Sequence, residues 1–184
     1  MKVKKTMETT TKKMMMKSFP MLMKKCTFSF KKNSSKREAR VFSFMTLKMK
    51  AEPGLEFDDV IEAMDSRAVE ENLKKTGHNM VWKEVEAKTG ESTPRFEILQ
   101  YCDALVARMV LDYSPEFSIF LPCRISVLED AVGDVWLMTL DWDVSWLALT
   151  WHPDSQIDDE LKENGRRIRN ALVSIMEAGA SGEW

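Results

Sequence analysis

The chain has 184 residues, of which 44% are hydrophobic, so it can build one packed domain. No apolar run approaches the roughly 18 residues of a membrane-spanning helix, and three cysteines, an odd number, do not make a secreted disulfide framework. The net charge of −2 hides an asymmetry: residues 1–50 hold 15 of the 27 Lys and Arg but only 2 of the 29 acids. A strongly basic segment is therefore joined to an acidic domain.

Residues 1–40 are rich in Lys, Thr, Ser and Met. Self-repelling charge and little apolar material predict a disordered extension. The basic, hydroxyl-rich, acid-poor composition fits an organelle targeting peptide for a plastid or mitochondrion, with a solvated tail as the alternative. Nucleic-acid binding is not expected, because no aromatic residues interleave with Arg. The domain is assigned to 41–180, and the cysteine content places it in an intracellular, reducing compartment.

Val41 to Met49 is β-branched, aromatic and partly alternating, the pattern of a strand. Phe57, Val60, Ile61, Met64 and Ala68 recur at helical spacing, and Leu73 extends the stripe toward a helix end at Gly77. Met80 to Glu86 alternates and predicts a second strand; Phe96 to Cys102 predicts a third. Leu105 to Tyr113 reads as a helix closed by Ser114-Pro115. Phe117 to Val127 alternates without a break, and a turn at "EDAVGD" leads to Val135–Leu140 as its hairpin partner. The last helix is predicted to start near Pro153–Ser155, with Ser155 and Asp158 as a capping arrangement. Ile157, Leu161, Ile168, Leu172 and Ile175 form its apolar stripe.

The order β-α-β-β-α-β-β-α gives a two-layer α+β domain, with helices over one face of a mixed sheet. If the strands ending at Cys102 and running through Cys123 are parallel neighbours, the helix between them is a right-handed crossover. The two cysteines then lie at a similar level along the sheet.

Few motifs carry chemistry. No phosphate-binding loop, dinucleotide fingerprint or nucleophile elbow is present. His78 and His152 read as turn or surface residues, and the Cys and His spacing offers no metal site, so neither metal nor cofactor is expected. Trp136, Trp142, Trp146 and Trp151 fall within sixteen residues. Trp142 and Trp146 can share a helical face with Leu149 and are the candidate binding residues, although core burial or a subunit contact is the preferred explanation of the cluster. Cys102 and Cys123 are the candidate thiols. Cys102 precedes a helix, whose dipole favours a thiolate, but Asp103 beside it opposes one. Cys123 shares a strand face with Ile119, Leu121 and Ile125 and reads as core.

The stretch "RFEILQYCDALVARMVLDYSPEFSIFLPCRISVLED" resembles the domain-of-unknown-function family 302. Ile98, Leu99, Cys102, Ala107, Pro115, Glu116, Leu121, Pro122 and Cys123 match the family's pattern of a first cysteine, a short helix, and "L-L-P-C". The preceding "ENLKKTGHNMVWKEVE" is similar to its amphipathic helix, glycine and strand, and the resemblance spans residues 41–177. Asp103-Ala104 replaces the family's Asn-Pro, a change that keeps a helix cap. The resemblance implies a small α+β domain, often a homodimer, with no established activity. The preferred function is a homodimeric binding or scaffold module without catalysis, with a small-molecule ligand of unspecified kind. The alternative is a thiol protein using Cys102 and Cys123 in redox, persulfide or sulfur-transfer chemistry.

Overall fold

The computed structural model describes residues 45–141 and 157–183. The expectations placed on residues 1–44, on Trp142, Trp146 and Trp151, on His152 and on a helix start at Ser155 lie outside them. Five strands, β1 (Thr46–Lys50), β2 (Lys74–Met80), β3 (Phe96–Cys102), β4 (Cys123–Glu129) and β5 (Val135–Leu140), form one sheet in the order β1-β5-β4-β3-β2. Helices α1 (Phe57–Glu70) and α4 (Asp159–Ser181) pack on one face of it, so the α+β class and the two-layer arrangement hold. Alternation in the central strands supplies the core: Leu99 and Tyr101 from β3, Ile125 and Val127 from β4, and Leu137 from β5 are fully buried. Val60 and Met64 of α1 and Ile175 and Met176 of α4 meet them from the helix layer.

Three expectations change. Among the described residues every strand pairing is antiparallel, so this sheet is not mixed and β3 and β4 are not joined by a parallel crossover. Tyr101 opposes Cys123, so the chain leaves the sheet at Cys102 and returns beside the point of departure. What intervenes is an excursion across one end of the sheet: α3 (Ala104–Tyr113) and a 3-10 helix (Pro115–Phe120). The alternation from Phe117 onward is therefore a strand only from Cys123. Pro115 starts the 3-10 turn with its preset φ, and Pro122, lacking an N–H, cannot join the ladder ahead of Cys123.

The first helix ends at Glu70, not Gly77. Asn72, at φ 56°, makes the left-handed turn, and Leu73 donates its N–H back to the Ala68 carbonyl at 2.8 Å. Leu73 is buried, as its place in the stripe predicts, but from the turn instead of the helix. Gly77 is then a strand residue next to a register shift. A Cβ there would stand 2.8 Å from the Gln100 side-chain oxygen, so the neighbouring strand's side chain occupies that space.

The segment Val81–Thr89 is a helix, α2, and not the predicted strand. Its two valines are four residues apart, a spacing a helix face shares, and Glu84 pairs with Lys88 at i,i+4. Gly90 ends it in the left-handed conformation at φ 72°.

The β4–β5 hairpin forms as predicted. The Asp130 carboxylate accepts from the backbone N–H of Val132 and Asp134 at 3.0 and 3.1 Å, and Gly133 supplies positive φ. Trp136 fastens this turn by donating its indole N–H to Asp130 at 3.0 Å, while Lys48 of β1 lies 3.9 Å above its ring. In α4 the cap is Asp158, which accepts from the Leu161 N–H at 2.7 Å. Leu161, Ile168, Leu172 and Ile175 are all buried, as the stripe requires.

Candidate functional site

The excursion between β3 and β4 creates a cavity of about 600 Å3 at the end of the sheet. Its position follows from local sequence. Asp103 has extended backbone and caps α3, accepting from the N–H groups of Leu105 and Val106 at 3.0 and 3.1 Å. Its second carboxylate oxygen takes Arg167 of α4 at 2.5 Å, which ties the start of α3 to the helix layer. Ser114 then ends α3, and Phe117 of the 3-10 helix turns inward as a buried anchor, its ring 5.9 Å from that of Phe120. The helical excursion thus stands over the sheet end and encloses apolar space: Val106, Val110, Phe117 and Leu121 line one side, Ile168 and Leu172 the helix layer, and Ile98 and Met138 the sheet.

Both candidate cysteines open onto this cavity, and both are half-buried free thiols. Cys123 begins β4 opposite Tyr101, so the cysteines are one residue out of register and alternation directs their side chains to opposite faces. The similar level expected from the sequence is met to within one residue, although through antiparallel and not parallel neighbours. Burial pushes the Cys123 thiol up to about 11, with the neighbouring Cys102 adding to the effect. Burial also raises Cys102, and Asp103 raises it further. The helix-dipole advantage at the start of α3 is spent on the Asp103 cap instead of on a thiolate. Two protonated thiols in an apolar cavity are weak nucleophiles at neutral pH.

The polar lining is small: Thr46, Ser126, Thr139, Asp103 and Arg124. Thr139 donates its hydroxyl to the Arg124 carbonyl at 2.7 Å. Burial would raise the Asp103 carboxyl, but Arg167 and the two backbone N–H groups hold it below the usual range. Arg124 stands exposed at the rim, donating to the Ile119 carbonyl at 3.1 Å.

A second polar cluster lies away from the cavity, where β2 meets β3. Glu97, its side chain 1% exposed, accepts from Trp82 of α2 at 2.8 Å and Arg95 at 2.9 Å, and meets His78 Nε2 at 2.5 Å. His78 is thus a partnered strand residue and not the turn residue its neighbours suggested. Burial would raise the Glu97 carboxyl, yet Arg95, Trp82 and His78 together keep it below its ordinary value. Arg95 lies over the Phe57 ring at 4.1 Å and pairs with Asp58 at 2.7 Å, so the cluster joins α1, α2, β2 and β3. A carboxylate with its donors supplied from three elements is a structural lock. Neither Glu97 nor Arg124 was found by sequence reasoning. A Glu at the second position of a strand looks like solvated alternation, and an Arg beside a cysteine carries no motif. Among the described residues no group of three or more His, Cys, Asp or Glu is placed to hold a metal ion.

The sheet, the one-sided helix layer and the end cavity define a small antiparallel α+β domain that carries a cleft. The chain belongs to the family described as Domain of unknown function DUF302, whose model matches residues 47–175. A similar solved structure is the crystal structure of an uncharacterized conserved DUF302 protein from Bacillus stearothermophilus. It is 17% identical, covering 73% of this chain and 97% of that one with a TM-score of 0.58, and the likeness is one of fold. No curated protein matches the chain.

Proposed function

We propose that this protein is a non-catalytic binding module whose ligand is a mainly apolar small molecule held in the cavity at the sheet end. The observation that carries this reading is the cavity itself: about 600 Å3, within the roughly 300–1,000 Å3 of small-molecule sites, and lined chiefly by aliphatic and aromatic side chains. Thiol chemistry is the second reading, supported by two cysteines at one cavity. The upward displacement of both thiols favours the first.

A homodimer completes the proposal, supported by the family resemblance. The sheet edges are poor candidates for the contact, since β1 carries Lys48 and Lys50, and β2 carries Lys74, Lys75 and a register shift. The better candidate lies on the sheet face opposite the helix layer, where the cross-strand pair Leu128 and Trp136, both half-buried, stands apart from the cavity lining. Residues 1–40 are proposed to direct the chain to a plastid or mitochondrion, on composition alone. Native mass spectrometry of the full chain tests the main reading: the expected spectrum is a dimer carrying a retained small molecule. A bare monomer at micromolar concentration counts against both parts.

A further inference from the structure

We infer that the ligand of the end cavity is an organic carboxylate with an apolar body, its head group held by Arg124. The inference rests on the binding reading above and names the chemistry of the ligand. Its basis is the distribution of charge. Among the described residues, Arg67, Arg95, Arg108, Arg166, Arg167 and Arg169 each pair with a carboxylate. Arg124 is the exception among the described arginines, and it is the one that lines the cavity. It donates through one Nη to a neutral carbonyl, that of Ile119. A guanidinium presents five N–H donors in a planar fork that matches a carboxylate, so most of that fork remains available at the rim.

The other charges on the cavity wall do not compete. Asp103 is the carboxylate among the lining residues, and Arg167 with two backbone N–H groups already engages it. Among the described residues the cavity therefore offers one positive charge without a carboxylate partner at its exposed edge, and an apolar interior behind it. Ser126, two residues along the same face of β4, adds a hydroxyl to the same cavity wall. An apolar body enters and its anionic head stays at the rim, where a charge-assisted, two-pronged bond forms without taking the guanidinium out of water.

The test uses the full chain with cis-parinaric acid, whose fluorescence rises in apolar surroundings, against its uncharged methyl ester. The acid is expected to bind at least about tenfold more tightly than the ester, the step that one charge-assisted bond supplies. Arg124→Gln should abolish that difference by lowering acid affinity to the level of the ester. Unchanged ester binding also shows that the variant's cavity is intact, and the basic N-terminal segment is the same in both proteins. Equal binding of acid and ester by the unaltered chain, or undiminished acid binding by Arg124→Gln, overturns the carboxylate assignment while leaving the cavity as a binding site. Binding of neither probe overturns the binding reading and this inference with it.

Discussion

At the scale of single residues, reactivity is set by what surrounds a group and less by its type. Cys102 and Cys123 share a cavity, but burial displaces both thiols toward the neutral form, Cys123 to about 11. Alkylation of the native protein should label Cys102 first and Cys123 slowly, with a pH midpoint above the free-thiol value of about 8.5. Fast labelling of both at neutral pH would favour the thiol reading. Glu97 has the opposite displacement. Its folded carboxyl titrates below the unfolded value of about 4.3, so its contribution is present above that pH and is lost as pH falls through the folded value. Urea midpoints measured from pH 6 to pH 3 should therefore fall on acidification, and Glu97→Gln should flatten the part of that slope due to this group. At neutral pH the same change leaves Arg95 and His78 without their buried partner and should cost about 3 kcal/mol.

At the scale of elements, close approach decides what the helices tolerate. Gly179 of α4 sits against α1 and β5, where a Cβ would come within 2.5 Å of the Met64 Cγ and 2.9 Å of a Leu137 methyl. Met64 and Leu137 are both fully buried, so neither has room to move aside. Gly179→Ala should destabilise the protein by about 1–3 kcal/mol despite the better helix propensity of Ala. Chemical denaturation would check it, and a neutral result would mean that the two helices can separate slightly. The same competition between local preference and tertiary contact explains the misread segments. In "LKKTGHNMVWKEVEAKT" the apolar residues are too few to choose between periods two and 3.6. Pairing with β3 claims Lys74–Met80 as a strand, and the residues that follow become a helix that brings Trp82 to Glu97.

At the scale of the whole molecule, the folded body should not need the basic extension. The family match begins at residue 47, and the first strand at Thr46. A chain starting at Val41 should unfold cooperatively near the full-length midpoint, and loss of cooperativity on thermal scanning would contradict this. A fluorescent fusion of residues 1–50 should enter a plastid or mitochondrion, whereas a diffuse cytosolic signal would remove the targeting proposal.

The sequence by itself determined the α+β class, the family, the core stripes of α1 and α4, the β4–β5 hairpin and the cap at Asp103, because each depends on periodicity or on bonds within a few residues. Tertiary structure alone decided strand direction, the fate of the residues after Leu73, and the cavity. Nothing local distinguishes an antiparallel return from a parallel crossover when a helix lies between two strands. The choice appears only in contacts between distant residues: Tyr101 opposite Cys123 across the sheet, and Arg167 reaching Asp103 from 64 residues away. That Arg124 has no carboxylate partner among the described residues is likewise a property of the assembled charge map, since an arginine's partners come from wherever folding places the acids.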